Sequence, residues 1–159
     1  MNLNTDFQEL LRRFESYGVK YLIVGGYAVA YHGFPRATKD LDLFVECSPD
    51  NARRIVDALV DFGFSGAATV EGELTKINSI IRFGAPPNQI DVLTTISGVS
   101  FEECWPQRIL AESGDFMWPI ISAPDLARNK KAARRLRDLA DLEDLGLTDQ
   151  VESSDSRDE

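Results

Sequence analysis

The sequence predicts a domain of the α/β class, because segments with helical and β-strand patterns alternate along its first half. Apolar residues recur at helical spacing over about residues 6–17. A β-like run over 19–24 then ends in Gly25-Gly26, and small residues favour a short helix directly after this glycine pair. Apolar and polar residues alternate over 38–46, which predicts a second strand with one buried face.

The remainder of the chain continues this alternation. A serine-proline start and an apolar stripe predict a helix over about 50–62. Two β-like runs, 78–83 and 89–95, are separated by five residues rich in proline and glycine, which predicts a hairpin. Residues 101–121 have an ambiguous pattern that fits a short helix followed by strand pieces. Leucines at helical spacing predict C-terminal helices over about 123–146.

Length and composition limit the domain organisation and the kind of protein. The chain has 159 residues, 43% of them hydrophobic and 27% charged, which suffices for one domain, assigned to residues 1–147. Residues 148–159 carry five acidic residues against one arginine, which predicts a disordered acidic tail. No apolar stretch predicts a membrane helix or signal peptide, so we expect the cytoplasm. Two cysteines and one histidine argue against zinc chemistry.

Three aspartates are candidates for a metal site. Asp40 and Asp42 lie two residues apart on a predicted strand, so their side chains point to the same side and repel each other unless a cation intervenes. Asp91 interrupts an apolar run in the second hairpin strand, where an unpaired buried charge would be costly. If the two strands are neighbours, the three carboxylates converge. Such a set of oxygen ligands favours magnesium over zinc.

The glycine pair between a strand and a helix is a candidate phosphate site. Gly25 and Gly26 would expose backbone N–H groups at the positive end of the following helix. The alternative is an ordinary strand-to-helix turn. The aspartates downstream favour the phosphate site, because a triphosphate and its metal ions bind together.

These residues resemble the signature of the nucleotidyltransferase superfamily related to DNA polymerase beta. That signature combines a Gly-[Gly/Ser] pair, a short spacer, an Asp-x-Asp motif and a later third carboxylate. Here it is formed by Gly25-Gly26, thirteen further residues, Asp40-Leu41-Asp42 and Asp91. The similarity is closest to small bacterial members, including those of abortive-infection and toxin-antitoxin systems. It extends over roughly 120 residues, through Arg36, Thr38 and the C-terminal region.

The resemblance implies a mixed β-sheet flanked by helices, the nucleotidyltransferase fold, with a C-terminal helical segment. It also implies an enzyme that transfers a nucleoside monophosphate from a nucleoside triphosphate, such as ATP, to a hydroxyl and releases pyrophosphate. Mg²⁺ or Mn²⁺ would be the cofactor, bound by Asp40, Asp42 and Asp91, and Asp91 would also help to activate the acceptor. The nucleotide contacts that we expect from it are Gly25, Gly26, Arg36, Thr38 and Lys130.

The C-terminal region of such relatives contains a Lys-x-x-x-Gly-Arg-x-x-Asp-Leu-x-Asp-Leu pattern, which begins here at Lys130. Arg134 stands where the relatives have glycine. Glycine would permit a break between two helices, whereas arginine allows one helix to continue, and the sequence leaves both alternatives open.

A dense basic run in the same region has two interpretations. It is either the exposed face of a helix, balanced by nearby acidic residues, or a surface that binds triphosphate or RNA. A net charge of −9 gives no general attraction to nucleic acid, so RNA would depend on such a local patch. The run consists of Arg128, Lys130, Lys131, Arg134, Arg135 and Arg137.

The acceptor and the biological setting stay open at this stage. A transfer RNA end, a small molecule and a protein hydroxyl are the alternatives, and the basic run favours RNA. The resemblance adds a cognate antitoxin as a further partner, and the lack of a long apolar stretch argues against a membrane. A different class of function is a catalytically silent module of the same fold that binds nucleotide or a partner protein. The three intact aspartates argue against that alternative.

Overall fold

The computed structural model describes residues 3–33 and 40–144 of the chain. The predictions for Arg36, Thr38 and the acidic tail at 148–159 therefore concern residues outside these ranges. No helix within them is long and apolar enough to cross a membrane.

Helices and strands alternate through the described residues. The α-helices are α1 (Thr5–Ser16), α2 (Gly25–Tyr31), α3 (Pro49–Phe62), α4 (Phe101–Cys104) and α5 (Ala123–Asp144). The strands are β1 (Tyr21–Val24), β2 (Leu41–Val45), β3 (Ile80–Phe83), β4 (Ile90–Leu93), β5 (Ile109–Ser113) and β6 (Phe116–Ile120). Three short 3₁₀ helices occupy Ser65–Val70, Glu73–Thr75 and Trp105–Gln107.

The six strands form one mixed sheet with the order β3-β4-β2-β1-β6-β5. The central strand β1 pairs antiparallel with β2 and parallel with β6, and β2 pairs parallel with β4. The outer pairs, β3 with β4 and β5 with β6, are antiparallel. The predicted α/β class, with a mixed sheet and flanking helices, is confirmed.

Aromatic contacts show that helices cover both faces of the central strands. On one face, Phe14 of α1 packs edge-on against Tyr21 of β1, with the ring centroids 5.4 Å apart. On the other face, Phe44 of β2 packs edge-on against Phe101 of α4 at 5.3 Å. All four residues of β1 are buried in consequence. The centre of the sheet is thus a rigid support for groups at its edge.

The structure decides two patterns that the sequence left open and corrects the length of one connection. The C-terminal region forms one continuous helix, α5, because Arg134 is compatible with helical geometry where glycine would permit a break. The hairpin connection spans residues 84–89, one residue longer than predicted. The ambiguous segment 101–121 contains α4 and the β5–β6 hairpin, and β6 joins the interior of the sheet beside β1.

A buried amide in α3 fastens the ends of β1 and β2 together. Asn51 is 1% exposed, and its Oδ1 accepts a hydrogen bond from the backbone N–H of Lys20 at 2.8 Å. Its Nδ2 donates to the carbonyl oxygens of Lys20 and Glu46 at 3.0 and 2.9 Å. One buried side chain therefore bonds three backbone groups at the ends of the two strands.

Replacing this amide is expected to destabilise the fold. Asn51→Ala leaves the Lys20 N–H and the Glu46 carbonyl without this partner, while the Lys20 carbonyl keeps its hydrogen bond from the Glu46 N–H, so the free energy of unfolding should fall by about 2–3 kcal/mol. Urea denaturation measures this change, with Asn88→Ala as the control, since this variant removes two solvent-exposed hydrogen bonds, to Asn4 and Asp6, and should cost less. A loss below about 1 kcal/mol would show that water enters and replaces the amide.

Candidate active site

The parallel pairing of β2 and β4 brings two of the three predicted aspartates together. Asp42 is the direct partner of Asp91 in this ladder, as expected if the two strands were neighbours. Adjacent strands lie roughly 4.8 Å apart, and directly paired residues project to the same face. Asp40 directly precedes β2 and lies two residues before Asp42. The three carboxylates are therefore concentrated on one side of the sheet.

The electrostatics of Asp42 show that the three carboxylates influence one another. Burial, and then the negative charges of Asp91 and Asp40, raise the pKa of Asp42 to about 6. The positive charges of Lys130 and Arg82 act in the opposite direction. Without a cation, the site therefore carries unfavourable negative charge at neutral pH.

Positive or polar side chains hold two of the carboxylates. Arg82 of β3 donates to Asp91 through Nε at 2.9 Å and through a terminal nitrogen at 3.4 Å. The side-chain amide of Gln89 donates to Asp40 at 3.3 Å. Within residues 3–33 and 40–144, no three acidic, cysteine or histidine side chains are placed to hold a metal ion as they stand.

The donor set nevertheless suits a hard divalent cation. Asp40, Asp42 and Asp91 offer only carboxylate oxygens, and the raised pKa of Asp42 shows that added positive charge would be favourable there. Asp91 can also exchange its partner Arg82 for a cation, because the Arg82 side chain is 62% exposed.

The glycine pair lies directly beside Asp42. Gly25 begins α2 with a φ of 67°, in the left-handed region, and follows Val24, the β1 partner of Asp42. A Cβ atom at Gly25 would overlap the Asp42 carboxylate, so both the backbone angle and the space require glycine. The N-cap residue, Val24, makes no side-chain hydrogen bond to the first turn of α2. Backbone N–H groups of this turn therefore lie next to the carboxylates without a capping side chain.

The remaining predicted nucleotide contacts are only partly described. Lys130 lies on α5, close enough to Asp42 to lower its pKa. The helix is attached beside β4, because the Asn129 side chain donates to the carbonyl oxygen of Ser97 at 3.0 Å. Gly98 also packs against α5 so closely that a Cβ atom would meet Ala132. Arg36 and Thr38 fall outside the described residues.

Sequence reasoning missed three residues around the carboxylates. Arg82 was missed because a five-residue connection would place Ile81, and not Arg82, opposite Asp91. Gln89 was assigned to the strand itself, with no contact to Asp40 expected. Tyr27 is close enough to Asp40 that burial and this carboxylate raise its pKa. The correct hairpin register would have identified Arg82, whereas the contacts of Gln89 and Tyr27 depend on tertiary packing.

An open groove adjoins the carboxylates, between the ends of β3 and β4 and the helix α5. Its volume is about 710 Å³. Ile80 and Leu93 line the groove and are direct partners in the β3–β4 ladder. Ile80 lies two residues before Arg82 on β3, and Leu93 lies two residues after Asp91 on β4. They therefore project to the same face as those charged residues. Every residue that lines the groove is uncharged, and the lining includes Asn78, Thr95, Asn129 and Leu136.

Removing the Asp42 charge is expected to stabilise the metal-free protein. Its pKa of about 6 in the folded state exceeds the ordinary value of 3.8, so the ionised carboxylate destabilises the fold above pH 6. This penalty disappears as the pH falls from about 6 to 4. With solvent screening it amounts to about 1 kcal/mol, so Asp42→Asn should raise the melting temperature at pH 8 by roughly 2–4 °C.

Thermal unfolding in EDTA at pH 8 and pH 4 measures this effect. The gain of Asp42→Asn should be present at the higher pH and absent at the lower one. Asp57→Asn, at a half-exposed position paired with Arg53, serves as the control and should bring no gain. A melting temperature for Asp42→Asn at or below that of the wild type at pH 8 would contradict the prediction.

Comparison with known proteins bears on the fold. No protein-family model matches the chain, and no curated protein is significantly similar to it. Among solved structures, it is similar to a protein from Thermotoga maritima described as a "putative nucleotidyltransferase", with a TM-score of 0.60 and 12% sequence identity. The match covers 87% of each chain. The chain therefore has a nucleotidyltransferase-like fold, with a mixed six-stranded sheet and flanking helices.

Proposed function

We propose that the protein is a metal-dependent nucleotidyltransferase. It transfers a nucleoside monophosphate from a nucleoside triphosphate to a hydroxyl acceptor and releases pyrophosphate. The observation that carries this proposal is the direct pairing of Asp42 with Asp91, beside a glycine that begins α2. This arrangement combines carboxylates for metal ions with backbone N–H groups for phosphates, on a fold that the chain shares with the Thermotoga maritima protein.

Magnesium or manganese would be held by Asp40, Asp42 and Asp91. When bound, the cation would stabilise negative charge on the phosphate oxygens and lower the pKa of an acceptor hydroxyl. Asp42 lies between the glycine turn of β1 and Asp91 of β4, because β2 is the strand between them. Asp42, whose pKa is raised to about 6, therefore lies between the candidate phosphate site at Gly25 and the candidate acceptor side at Asp91.

The triphosphate would bind at the start of α2. The N–H groups of Gly25 and Gly26 would contact its oxygens, and Lys130 would add a positive charge from α5. Arg36 and Thr38 are further proposed contacts. ATP is one triphosphate that fits this proposal, since the interactions involve phosphates and do not select a base.

Transfer then requires one bond to form and one to break. The acceptor oxygen attacks the α-phosphorus, and the bond from that phosphorus to the pyrophosphate oxygen breaks. The acceptor proton would leave towards Asp91, which pairs with Asp42 on the side of β2 away from β1 and its glycine turn. The positive charges of Lys130 and the metal ions would stabilise the pyrophosphate as it leaves.

For the acceptor, we propose an RNA hydroxyl such as a transfer RNA end. Lys131 and Arg134 on α5 offer charge to phosphates, and α5 borders the site. The uncharged groove beside Asp91 favours a second candidate, a small neutral compound that carries a hydroxyl. Separation of labelled products by size distinguishes the two, because RNA product is large and small-molecule product is not.

Two further features of the proposal come from the sequence. The resemblance suggests a toxin-type enzyme with a cognate antitoxin, and the lack of a membrane-helix or signal-peptide pattern suggests a cytoplasmic setting. A catalytically silent module that binds nucleotide or a partner is the alternative function. It predicts magnesium-dependent binding of triphosphate without any transfer, which isothermal titration and a transfer assay together detect.

Removing one of the paired carboxylates should abolish transfer. Incubation with α-labelled triphosphates, magnesium and total RNA should label an acceptor, and EDTA should stop the labelling. Asp42→Ala is expected to reduce the rate by on the order of 10²–10³-fold, because the metal loses its central ligand. Asp57→Ala, at a half-exposed position of α3 that pairs with Arg53, is the matched control. Wild-type rates in Asp42→Ala would exclude this site.

Lys130 should affect the binding of the triphosphate more than the folding of the chain. Lys130→Gln is expected to raise the KM for the triphosphate roughly tenfold, because one charged contact is lost. Its neighbour Lys131 provides the matched control, and Lys131→Gln should leave this KM unchanged. Equal effects of the two variants would indicate a general influence of charge on α5.

A further inference from the structure

Arg82 holds Asp91 through both carboxylate oxygens. Its Nε lies 2.9 Å from Oδ1, and a terminal nitrogen lies 3.4 Å from Oδ2. The two residues are direct partners in the β3–β4 ladder, so the backbone itself places them face to face. The Asp91 side chain is 12% exposed, whereas that of Arg82 is 62% exposed. The carboxylate is therefore fixed in the sheet, and the guanidinium can move.

The guanidinium also interacts with the other two carboxylates of the cluster. Hydrogen bonding to Asp91 is the main cause that raises the pKa of Arg82, and Asp40 and Asp42 contribute further. In return, Arg82 lowers the pKa of Asp42. Arg82 thus supplies part of the neutralising charge that a divalent cation would bring.

We propose that Arg82 is a positioning residue that competes with the divalent cation for Asp91. In the metal-free protein its guanidinium neutralises Asp91 and keeps the carboxylate oriented towards β3. When the cation binds, the guanidinium moves away from at least one oxygen of Asp91, which is then free to bind the metal. The inference rests on the proposed function, since it assumes a cation at these three carboxylates.

The competition follows from the side of the carboxylate that Arg82 occupies. Both oxygens of Asp91 accept a hydrogen bond from Arg82, at 2.9 and 3.4 Å, so a cation that approaches from this side has to displace the guanidinium from at least one oxygen, and the longer contact is the weaker one. A buried carboxylate generally keeps its positively charged partner, because loss of that partner leaves an uncompensated charge in the interior. Exchange is feasible here because the departing guanidinium reaches water directly.

Lysine and glutamine at this position separate competition from simple charge repulsion. Lysine retains the positive charge but cannot engage both oxygens in the planar manner of arginine. If Arg82 acts only through its charge, Arg82→Lys binds metal as the wild type does. If it competes for the oxygens, both Arg82→Lys and Arg82→Gln bind metal more tightly.

Titration of Mn²⁺ into the nucleotide-free protein, followed by electron paramagnetic resonance, tests the proposal. We expect Arg82→Gln to bind Mn²⁺ between about threefold and tenfold more tightly than the wild type, and Arg82→Lys to be intermediate. Arg53→Gln, which removes an exposed arginine of α3 paired with Asp57, should bind as the wild type does.

A double variant identifies Asp91 as the shared group. In an Asp91→Asn background, Arg82→Gln should no longer increase the affinity for Mn²⁺, because asparagine lacks the carboxylate for which Arg82 and the cation compete. Wild-type affinity in Arg82→Lys, weaker binding in Arg82→Gln, or an undiminished gain in the Asp91→Asn background would each overturn the inference. Absence of Mn²⁺ binding in the wild type would instead overturn the proposed function on which it rests.

Discussion

The parallel pairing of β2 with β4 is the constraint on which the candidate site depends. Leu41, Leu43 and Val45 are buried on the face of β2 opposite Asp42, and they fix the register of the strand. A slip of one residue would turn these side chains away from the core, at a cost of several buried apolar groups. The core therefore determines that Asp42 meets Asp91, and the same strand places Asp42 beside β1 on its other side.

That arrangement concentrates negative charge where the fold gains nothing from it. The raised pKa of Asp42 is the physical sign of this cost, and Arg82 and Lys130 offset only part of it. Sites of this kind commonly trade stability for function, because the charge that destabilises the empty protein is the charge that attracts the cation. The proposed exchange at Asp91 has the same cause, since Arg82 neutralises this carboxylate until a divalent cation binds.

The start of α2 shows how tightly backbone and carboxylate are fitted. Gly25 needs a left-handed φ, and the space that its side chain would occupy is filled by Asp42. Any larger residue would displace the carboxylate, the helix start, or both. The glycine is therefore part of the carboxylate site as well as of the turn, and the two halves of the sequence signature form a single structural unit.

The sequence by itself determined the local features of this protein. Alternation in 38–46 placed Asp40 and Asp42 on the face away from the buried leucines, and helical spacing located α1 and α3 within one residue at each end. These features depend on neighbours in the chain, which is why a pattern can predict them. Only the tertiary structure decided that Arg82 faces Asp91, because one more residue in the hairpin connection changes every pair of facing residues on β3 and β4. It also decided that β6 lies beside β1, since that pairing joins residues about a hundred positions apart and leaves no local pattern.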